Sequence, residues 1–266
     1  MKIKIDHRFR RTIIVILALI GTATWLIINP VSYDSEIVPQ ASSTSNSTTN
    51  SATNSTNLSD PTTPTTSPAT STSDSPLASA VLEQLAIKGR APKTDYARTQ
   101  FYNGWPTIDG CSLRQRIIKR DFGDTAVLDP SNDCNVIAGE FIEPYTGSFM
   151  KFTEKSQISK GLQIDHIVAL SDAWQKGAQN LTKDERYNIA TDPLNLVVAD
   201  GPANMQKGDG DAATWLPSNK SFRCQYVARQ VSVKYKYHLW VTQAEHDAIS
   251  GILEKCPTEP AVGVSL

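Results

Sequence analysis

Two titratable residues, Asp165 and His166, stand side by side inside the apolar run "QIDHIVAL" at positions 163–170. Burying an unpaired charge is costly, so such a pair has either a compensating partner or a chemical task. Three further polar residues follow in order: Asn195, Asn204 and Lys207. The nine-residue step from Asn195 to Asn204 fits a strand, a turn and one helical turn. This spacing predicts that Asn204 folds back towards His166 and that the two belong to one site.

The elements that must position these residues are short. "LQIDHIVAL" predicts a strand and its exit, and "LNLVVAD" (194–200) predicts a second strand that contains Asn195. Gly201-Pro202 then turns the chain into a helix that carries Asn204 and Lys207. Successive residues of a strand point to opposite faces, whereas Asp165 and His166 must both reach the site. We therefore expect the backbone to leave regular strand geometry at these two residues.

The rest of the domain is predicted to be mainly helical, with one hairpin. The hairpin is expected over 135–153, around a Pro-Tyr-Thr-Gly turn. Capping boxes predict two helix starts, one at Thr182 with Glu185 and one at Thr242 with Glu245. Another helix is expected to begin with Ser171 as its N-cap. Further helices are predicted over 78–88, 112–122 and 221–238, and the helix behind Thr242 is expected to cover 243–255.

These motifs resemble the HNH endonucleases, whose site is the ββα-metal motif. The core of the resemblance is "DHIVAL" (165–170) with "PLNLVVADGPANMQKGD" (193–209). The chain is more specifically similar to the exported HNH-type nucleases of actinobacteria and their relatives, through "DGCSLRQRII" (109–118), "AWQKGA" (173–178) and "KGDGDAATWLP" (207–217). The resemblance covers about residues 95–256. It implies an α+β fold with a ββα-metal core, additional surrounding helices and a β-hairpin.

The resemblance also implies a role for each site residue. His166 is expected to be the general base that activates water, because an imidazole pKa of about 6.5 lies near working pH. Asn195 is expected to orient the His166 ring through a hydrogen bond. Asp165 and Asn204 offer hard oxygen ligands for one Mg²⁺ or Mn²⁺ ion. Lys207 is expected to contact a substrate phosphate, and Arg114 is assigned the same role.

Two positions depart from the family pattern. Ala169 stands where the family often has Pro, and Gln163 stands where an acidic residue is common. Neither change removes a predicted ligand or the base. The alternatives for single residues are that Asn195 serves a strand edge or turn, that Asn204 caps a helix, and that Lys207 is a solvated surface lysine.

The function predicted is a metal-dependent endonuclease that hydrolyses DNA, and RNA as a second substrate, with little sequence selectivity. No obligate protein partner is expected. Two alternatives remain at this point: a degenerate nuclease fold that only binds a cell-surface ligand, and a metallohydrolase of another phosphoester. The binding module would bind but leave plasmid DNA intact in the presence of metal. The other phosphoesterase would fail to cleave DNA but would hydrolyse small phosphodiesters.

The N-terminal region differs in composition from the rest of the chain. Residues 1–40 hold a basic segment followed by an apolar run over 12–28, which predicts a signal peptide or an uncleaved signal anchor. Over 41–76 all but six of 36 residues are Ser, Thr, Asn or Pro, a composition typical of a disordered tether. Residues 77–266 are then the nuclease domain. This organisation predicts an exported protein, secreted or held at the cell surface by its N-terminal segment in the membrane.

The charge of the domain is nearly balanced. The full chain has 26 Lys and Arg against 27 Asp and Glu, and residues 1–76 hold five of each, so the domain keeps a net charge of −1. A protein that holds long duplex DNA through backbone neutralisation alone is more basic than this. Any contact with nucleic acid must therefore come from a local site.

All four cysteines lie in the domain: Cys111, Cys134, Cys224 and Cys256. An even number of cysteines after an export signal indicates disulfides, and four cysteines allow three pairings. The sequential pairing closes loops of moderate size and is the one we favour. A zinc site is the rival interpretation, but the chain has no Cys-x-x-Cys motif.

Overall fold

Short helices and strands alternate along residues 75–264, the part of the chain that the computed structural model describes. The helices are α1 (Ala78–Leu82), α2 (Leu113–Phe122), α3 (Lys155–Gly161), α4 (Leu170–Gln175), α5 (Lys183–Thr191), α6 (Gly201–Lys207), α7 (Arg223–Lys236) and α8 (Gln243–Leu253). The strands are β1 (Thr107–Ile108), β2 (Cys111–Ser112), β3 (Val127–Asp129), β4 (Asn132–Ile142), β5 (Phe149–Phe152), β6 (Leu162–His166) and β7 (Leu196–Asp200). They form three small antiparallel sheets, β1–β2, β3–β4–β5 and β6–β7. This is the mixture of helices and small sheets that the α+β prediction requires.

Strand β7 is buried on both faces, which explains why four of its five residues are apolar. Leu196 and Val198 of β7 face a core built from α2, β4 and β5, whereas Val197 and Ala199 face the core of α1, α7 and α8. Burial on both sides makes the register specific, because a one-residue slip would exchange the two faces.

The backbone at Asp165-His166 differs from our expectation. The antiparallel pairing continues regularly through Asp165 opposite Val197 and His166 opposite Leu196. The predicted departure from strand geometry at these residues is therefore wrong. The strand ends at His166, and both side chains reach a common cavity from its last two positions.

Helix α6 follows β7 directly, as the Gly201-Pro202 pair predicted. Asp200 caps the helix, with its side chain accepting a hydrogen bond from the Ala203 amide at 3.1 Å. The helix ends at Gly208, whose φ of +55° is a conformation that glycine adopts without strain. The strand pair and this helix therefore place residues 201–209 against β6.

Other local predictions agree with the structure to different degrees. The hairpin is present as β4 and β5, and both capping boxes are formed, by Thr182 with Glu185 and by Thr242 with Glu245. Helix α4 begins at Leu170 rather than after Ser171, and α1 ends at Leu82, well before the predicted residue 88. The predicted second strand begins later than expected, because residues 193–195 form a 3₁₀ turn.

A buried ion network joins the helices behind this strand pair. The Lys176 ammonium contacts Asp172, Asp211 and Glu245 at 2.6–2.7 Å. Lys234 contacts Asp172 and Glu245 at 3.1 and 2.8 Å. The members come from α4, α7, α8 and the loop after α6, so the network fixes these elements relative to one another. A buried charge stays ionised at acceptable cost only when it is compensated in this way.

Two disulfides are formed, Cys111–Cys134 and Cys224–Cys256, which confirms the sequential pairing. The first joins β2 to β4, and the second joins the start of α7 to the end of α8. Residues 1–74, with the predicted leader or anchor and the tether, lie outside the described residues. Within 75–264, none of the helices has the length and apolar character needed to cross a bilayer.

Removal of the α7–α8 disulfide is expected to destabilise the domain strongly. The bridge closes a loop with a sequence separation of 32 residues, which corresponds to about 3.7 kcal/mol in the loop-entropy treatment. The double substitution Cys224→Ser with Cys256→Ser should lower the free energy of unfolding in urea by that amount. Cys111→Ser with Cys134→Ser, with a separation of 23 residues, should cost nearly as much. A loss below about 1 kcal/mol for both pairs would contradict this account.

Candidate active site

A cavity of about 400 Å³ opens at the end of β6. Three of the predicted site residues line it: Asp165, His166 and Asn204. Asn195 and Lys207 lie directly behind its wall and are buried, as described below. The structure therefore brings together Asp165 and His166 from β6, Asn195 from the 193–195 turn, and Asn204 and Lys207 from α6.

The His166 ring is held by α5 and by aromatic neighbours. Its Nε2 lies 3.0 Å from the carbonyl oxygen of Ala190, in the last turn of α5, where helix carbonyls lack intrahelical partners. A carbonyl only accepts, so Nε2 carries the proton and Nδ1 is the basic nitrogen of the neutral ring. Trp105 stacks on the imidazole with ring centroids 6.0 Å apart and an interplanar angle of 12°. Ring position and tautomer are thus determined before substrate binds.

The environment of His166 lowers the pKa of its ring to about 4. Burial is the largest cause, because it disfavours the charged imidazolium, and the positive charge of Arg98 acts in the same direction. The negative charge of Asp165 opposes the shift and only partly cancels it. This differs from the ordinary value assumed from the sequence. At neutral pH the ring is unprotonated, as a general base requires.

Asn195 has a different position from the predicted one. It lies in the 3₁₀ turn before β7 and is fully buried. Its Oδ1 accepts from the Val168 amide at 2.8 Å, and its Nδ2 donates to the carbonyls of Ile189 and Val168 at 3.1 and 3.3 Å. The described hydrogen bonds of Asn195 therefore join the backbone after β6 to the end of α5. The hydrogen bond to the His166 ring that was predicted for Asn195 is made by the Ala190 carbonyl.

Lys207 also differs from its predicted role. Its side chain is fully buried, and its ammonium lies 2.9 Å from Asp165 Oδ2 and 2.8 Å from the His166 carbonyl. The Tyr145 hydroxyl donates to the same carboxylate oxygen. Burial, and then the charge of Asp165, raise the pKa of Tyr145 well above its usual value, so the phenol remains a donor. Lys207 is the buried partner of Asp165 and is not placed to meet a phosphate.

Arg114 lies outside the cavity as well. Its guanidinium donates to the Leu162 carbonyl at the start of β6, at 3.1 Å, and burial lowers its pKa. The cations that do line the cavity are Arg98 and Lys93, which precede the resembling motifs. Arg98 donates to the Tyr102 hydroxyl, and Lys93 pairs with Asp209 at 2.9 Å. The sequence gave no indication that Arg98 and Lys93 line a cavity, beyond an excess of basic residues, because both lie in an irregular segment.

Comparison with known proteins identifies the family. Residues 113–252 match the family described as GmrSD restriction endonucleases, C-terminal domain. This match covers more than half of the chain. The chain belongs to this family. Membership in this nuclease family is consistent with the HNH resemblance and indicates a nuclease.

One curated relative is an uncharacterized secreted protein of Arthroderma benhamiae. It is 34% identical over 182 residues, which are 67% of this chain and 84% of the relative. No solved structure matches the chain. The family match includes β6, β7 and α6, the elements that carry the site.

The donors at the cavity fit a single hard divalent ion of the kind that nucleases of this family usually use. Both described contacts of the Asp165 carboxylate use Oδ2, and Asn204 uses Nδ2 to donate to Gln163 at 2.7 Å. Oδ1 of each side chain remains as an oxygen donor. Among residues 75–264 no three His, Cys, Asp or Glu side chains gather into a metal-binding group. Mg²⁺ needs only one or two protein oxygens, with waters and phosphate completing its coordination.

The lowered pKa of His166 can be measured directly. In the metal-free protein, an NMR titration of the His166 ring should show a midpoint near pH 4 rather than near 6.5. Arg98→Met should raise this midpoint, because it removes a positive charge that disfavours the imidazolium. A midpoint near 6.5 in the parent, unchanged by the substitution, would show that the ring is not buried as described.

The Lys207–Asp165 pair should be required for stability. Lys207→Met leaves the Asp165 carboxylate buried without its cation, which is expected to cost about 3 kcal/mol in the free energy of unfolding. Lys160→Met, on an exposed lysine at the end of α3, should change stability by less than about 0.5 kcal/mol. Adding Asp165→Asn to Lys207→Met should recover part of the loss. No recovery would mean that the lysine acts through packing rather than charge.

Proposed function

We propose that this chain is an exported, metal-dependent endonuclease of the HNH type that hydrolyses phosphodiester bonds of DNA, with RNA as a second substrate. The observation that carries the proposal is the neutral His166 ring, whose Nε2 is tied to Ala190, beside the Asp165 carboxylate and Asn204 in one cavity. Membership of a nuclease family supports the reaction class. The substrate and the HNH type are inferred from the site residues.

In the proposed reaction, water attacks the phosphorus atom and gives its proton to His166 Nδ1, and the bond to the leaving oxygen breaks. Because Nε2 is held by the Ala190 carbonyl, the basic nitrogen has a determined direction. The charge of Asp165 favours the imidazolium that forms, which offsets part of the burial cost. The ring then releases its proton readily, since its pKa is low.

Asp165 and Asn204 are the residues proposed to hold one Mg²⁺ or Mn²⁺ ion. When bound, such an ion supplies electrostatic stabilisation of the charge that develops on the phosphate and the leaving oxygen. The protein's own contribution is to present the two oxygens from rigid elements, β6 and α6. Gln163 takes part here, because its Oε1 accepts from Asn204 Nδ2 and so orients the amide oxygen.

Arg98 is proposed as the cavity residue that contacts the substrate phosphate, in place of Lys207 and Arg114. Among the described residues it forms no ion pair, and it lies near enough to His166 to lower its pKa. A guanidinium suits a phosphate because its donors match the anion's geometry. Lys93 is less available to a phosphate, because it is already paired with Asp209.

Export is proposed on two grounds. The domain contains two disulfides, which persist in oxidising compartments, and one relative is named as a secreted protein. The predicted leader or anchor at residues 12–28 would supply the targeting. Secretion, surface attachment and the proposed limit at residue 40 depend on residues outside the described part of the chain, whereas the proposed limit at 76/77 lies just inside it.

The decisive experiment is cleavage of supercoiled plasmid by the purified protein with Mg²⁺ or Mn²⁺. His166→Ala should reduce the rate about 10²–10⁴-fold, the usual contribution of a general base. Asp165→Asn should lower the rate and raise the metal concentration required. His246→Ala, on a histidine in α8 outside the cavity, should leave the rate unchanged.

Cleavage that survives both EDTA and His166→Ala would refute the mechanism. An intact plasmid together with retained binding would favour the binding-module alternative, and hydrolysis of only small phosphodiesters would favour another phosphoesterase. RNA supplied beside DNA in the same assay determines the substrate class.

A further inference from the structure

A second cavity, of about 490 Å³, shares no lining residue with the cavity that holds His166. Its size is typical of sites for small ligands. Part of its wall is made of rings: the planar rings of Phe141 and Phe222 and the pyrrolidine rings of Pro144 and Pro193. The sequence offered no motif for it, since its residues come from α2, β4, the 193–195 turn, α7 and the C-terminal segment.

Two guanidinium groups converge at this cavity. Arg120, from α2, donates to the carbonyls of Pro193 and Leu196, each at 2.7 Å. Arg229, from α7, donates Nε and Nη2 to the Leu194 carbonyl at 3.0 and 2.7 Å, and Nη2 also reaches the Leu196 carbonyl at 2.8 Å. Two carbonyls are therefore shared by both cations: that of Leu196 and, through a longer contact of 3.4 Å from Arg229, that of Pro193.

The positive charge here is only partly compensated. Asp121 pairs with Arg120 at 2.6 Å, and its other oxygen accepts from the Val198 amide. Within residues 75–264, Arg229 has no carboxylate partner, and its described hydrogen bonds do not use Nη1. Burial, and then the neighbouring charge of Arg120, lower the pKa of Arg229 to about 10. An anion in the cavity would relieve this repulsion.

The chemistry required is an anion attached to a flat, largely apolar body. Guanidinium groups recognise phosphate oxygens better than other cations do, and proline and aromatic rings pack against a planar heterocycle. Arg120 also lines a neighbouring cavity with Arg116 and Lys119 of α2, where Asp109 and Asp133 balance part of the positive charge. A nucleotide combines a phosphate anion with a flat ring system. Its base would lie among the rings of the cavity, and its phosphate would lie at Arg229.

We propose that this cavity binds one nucleotide of the nucleic-acid substrate, away from the bond that is cleaved. The inference rests on the proposed nuclease function for its role, while the binding itself rests on this cavity alone. It explains how a domain with a net charge of −1 holds a polyanion: the positive charge is local and is placed beside ring surfaces. Stacking tolerates every base, in accord with low sequence selectivity.

The test uses the full chain carrying His166→Ala, in EDTA, so that neither cleavage nor metal binding contributes. Calorimetric titration with thymidine 5′-monophosphate should show binding that exceeds that of thymidine and of inorganic phosphate, since each lacks one half of the ligand. Gln225→Glu adds a negative charge at an exposed position of the rim and should weaken binding about fivefold by repulsion. The matched control Gln84→Glu, on an exposed glutamine outside the cavity, should bind like the parent.

Two further variants separate loss of binding from loss of folding. Arg229→Gln should weaken binding about tenfold or more, but it also removes supports of the 194–196 carbonyls. Ile142→Trp changes an exposed side chain at the rim and should block the cavity with the thermal transition unchanged.

Equal binding by the parent, Gln225→Glu and Ile142→Trp would overturn the proposal, as would inorganic phosphate binding as tightly as the nucleotide. Parallel plasmid assays with the His166-containing chain distinguish the two hypotheses. Gln225-dependent nucleotide binding without any cleavage would refute the nuclease and keep the nucleotide site. Cleavage without nucleotide binding would do the reverse.

Discussion

The buried contact between the Lys207 ammonium and the Asp165 carboxylate holds the site together. It connects the last turn of α6 to the end of β6, and through the His166 carbonyl it reaches the backbone of the neighbouring residue as well. A carboxylate at this depth needs a positive partner, and a lysine at this depth needs a negative one, so each makes the other's burial affordable. The helix that carries Asn204 is thereby held against the strand that carries Asp165. This ion pair acts together with the Asn204–Gln163 hydrogen bond, which joins the same helix and strand nearer the surface.

A second set of contacts holds the other half of the cavity. The end of α5 supplies carbonyls that lack intrahelical partners, and these accept from His166 and Asn195. Asn195 in turn binds the backbone of Val168, two residues beyond the end of β6. Buried hydrogen bonds thus determine the positions of the His166 ring and of the backbone beside it. Such preorganisation reduces the rearrangement needed when substrate binds.

The distribution of charge explains how a nearly neutral domain acts on a polyanion. Three lysines are buried and paired internally: Lys176 and Lys234 in the ion network, and Lys207 beside Asp165. Among the cations that remain accessible, Arg98 lies at the His166 cavity and Arg229 at the second cavity. Net charge counts buried and exposed groups alike, and is therefore a poor measure of the surface that a substrate meets.

Local patterns along the sequence determined much of this protein. The capping boxes, the β4–β5 hairpin, both disulfides, the order of β6, β7 and α6, and the presence of Asp165, His166 and Asn204 at one site all followed from periodicity, turn chemistry, spacing or family resemblance. These features depend on residues that are close together in the sequence or on a strong motif.

Tertiary structure alone decided that Lys207 is a buried partner of Asp165, that the Ala190 carbonyl holds the His166 ring, and that Arg98 faces the cavity. It also decided the low pKa of His166. Burial and charge proximity depend on which distant elements pack together, and no local pattern in the sequence encodes that packing.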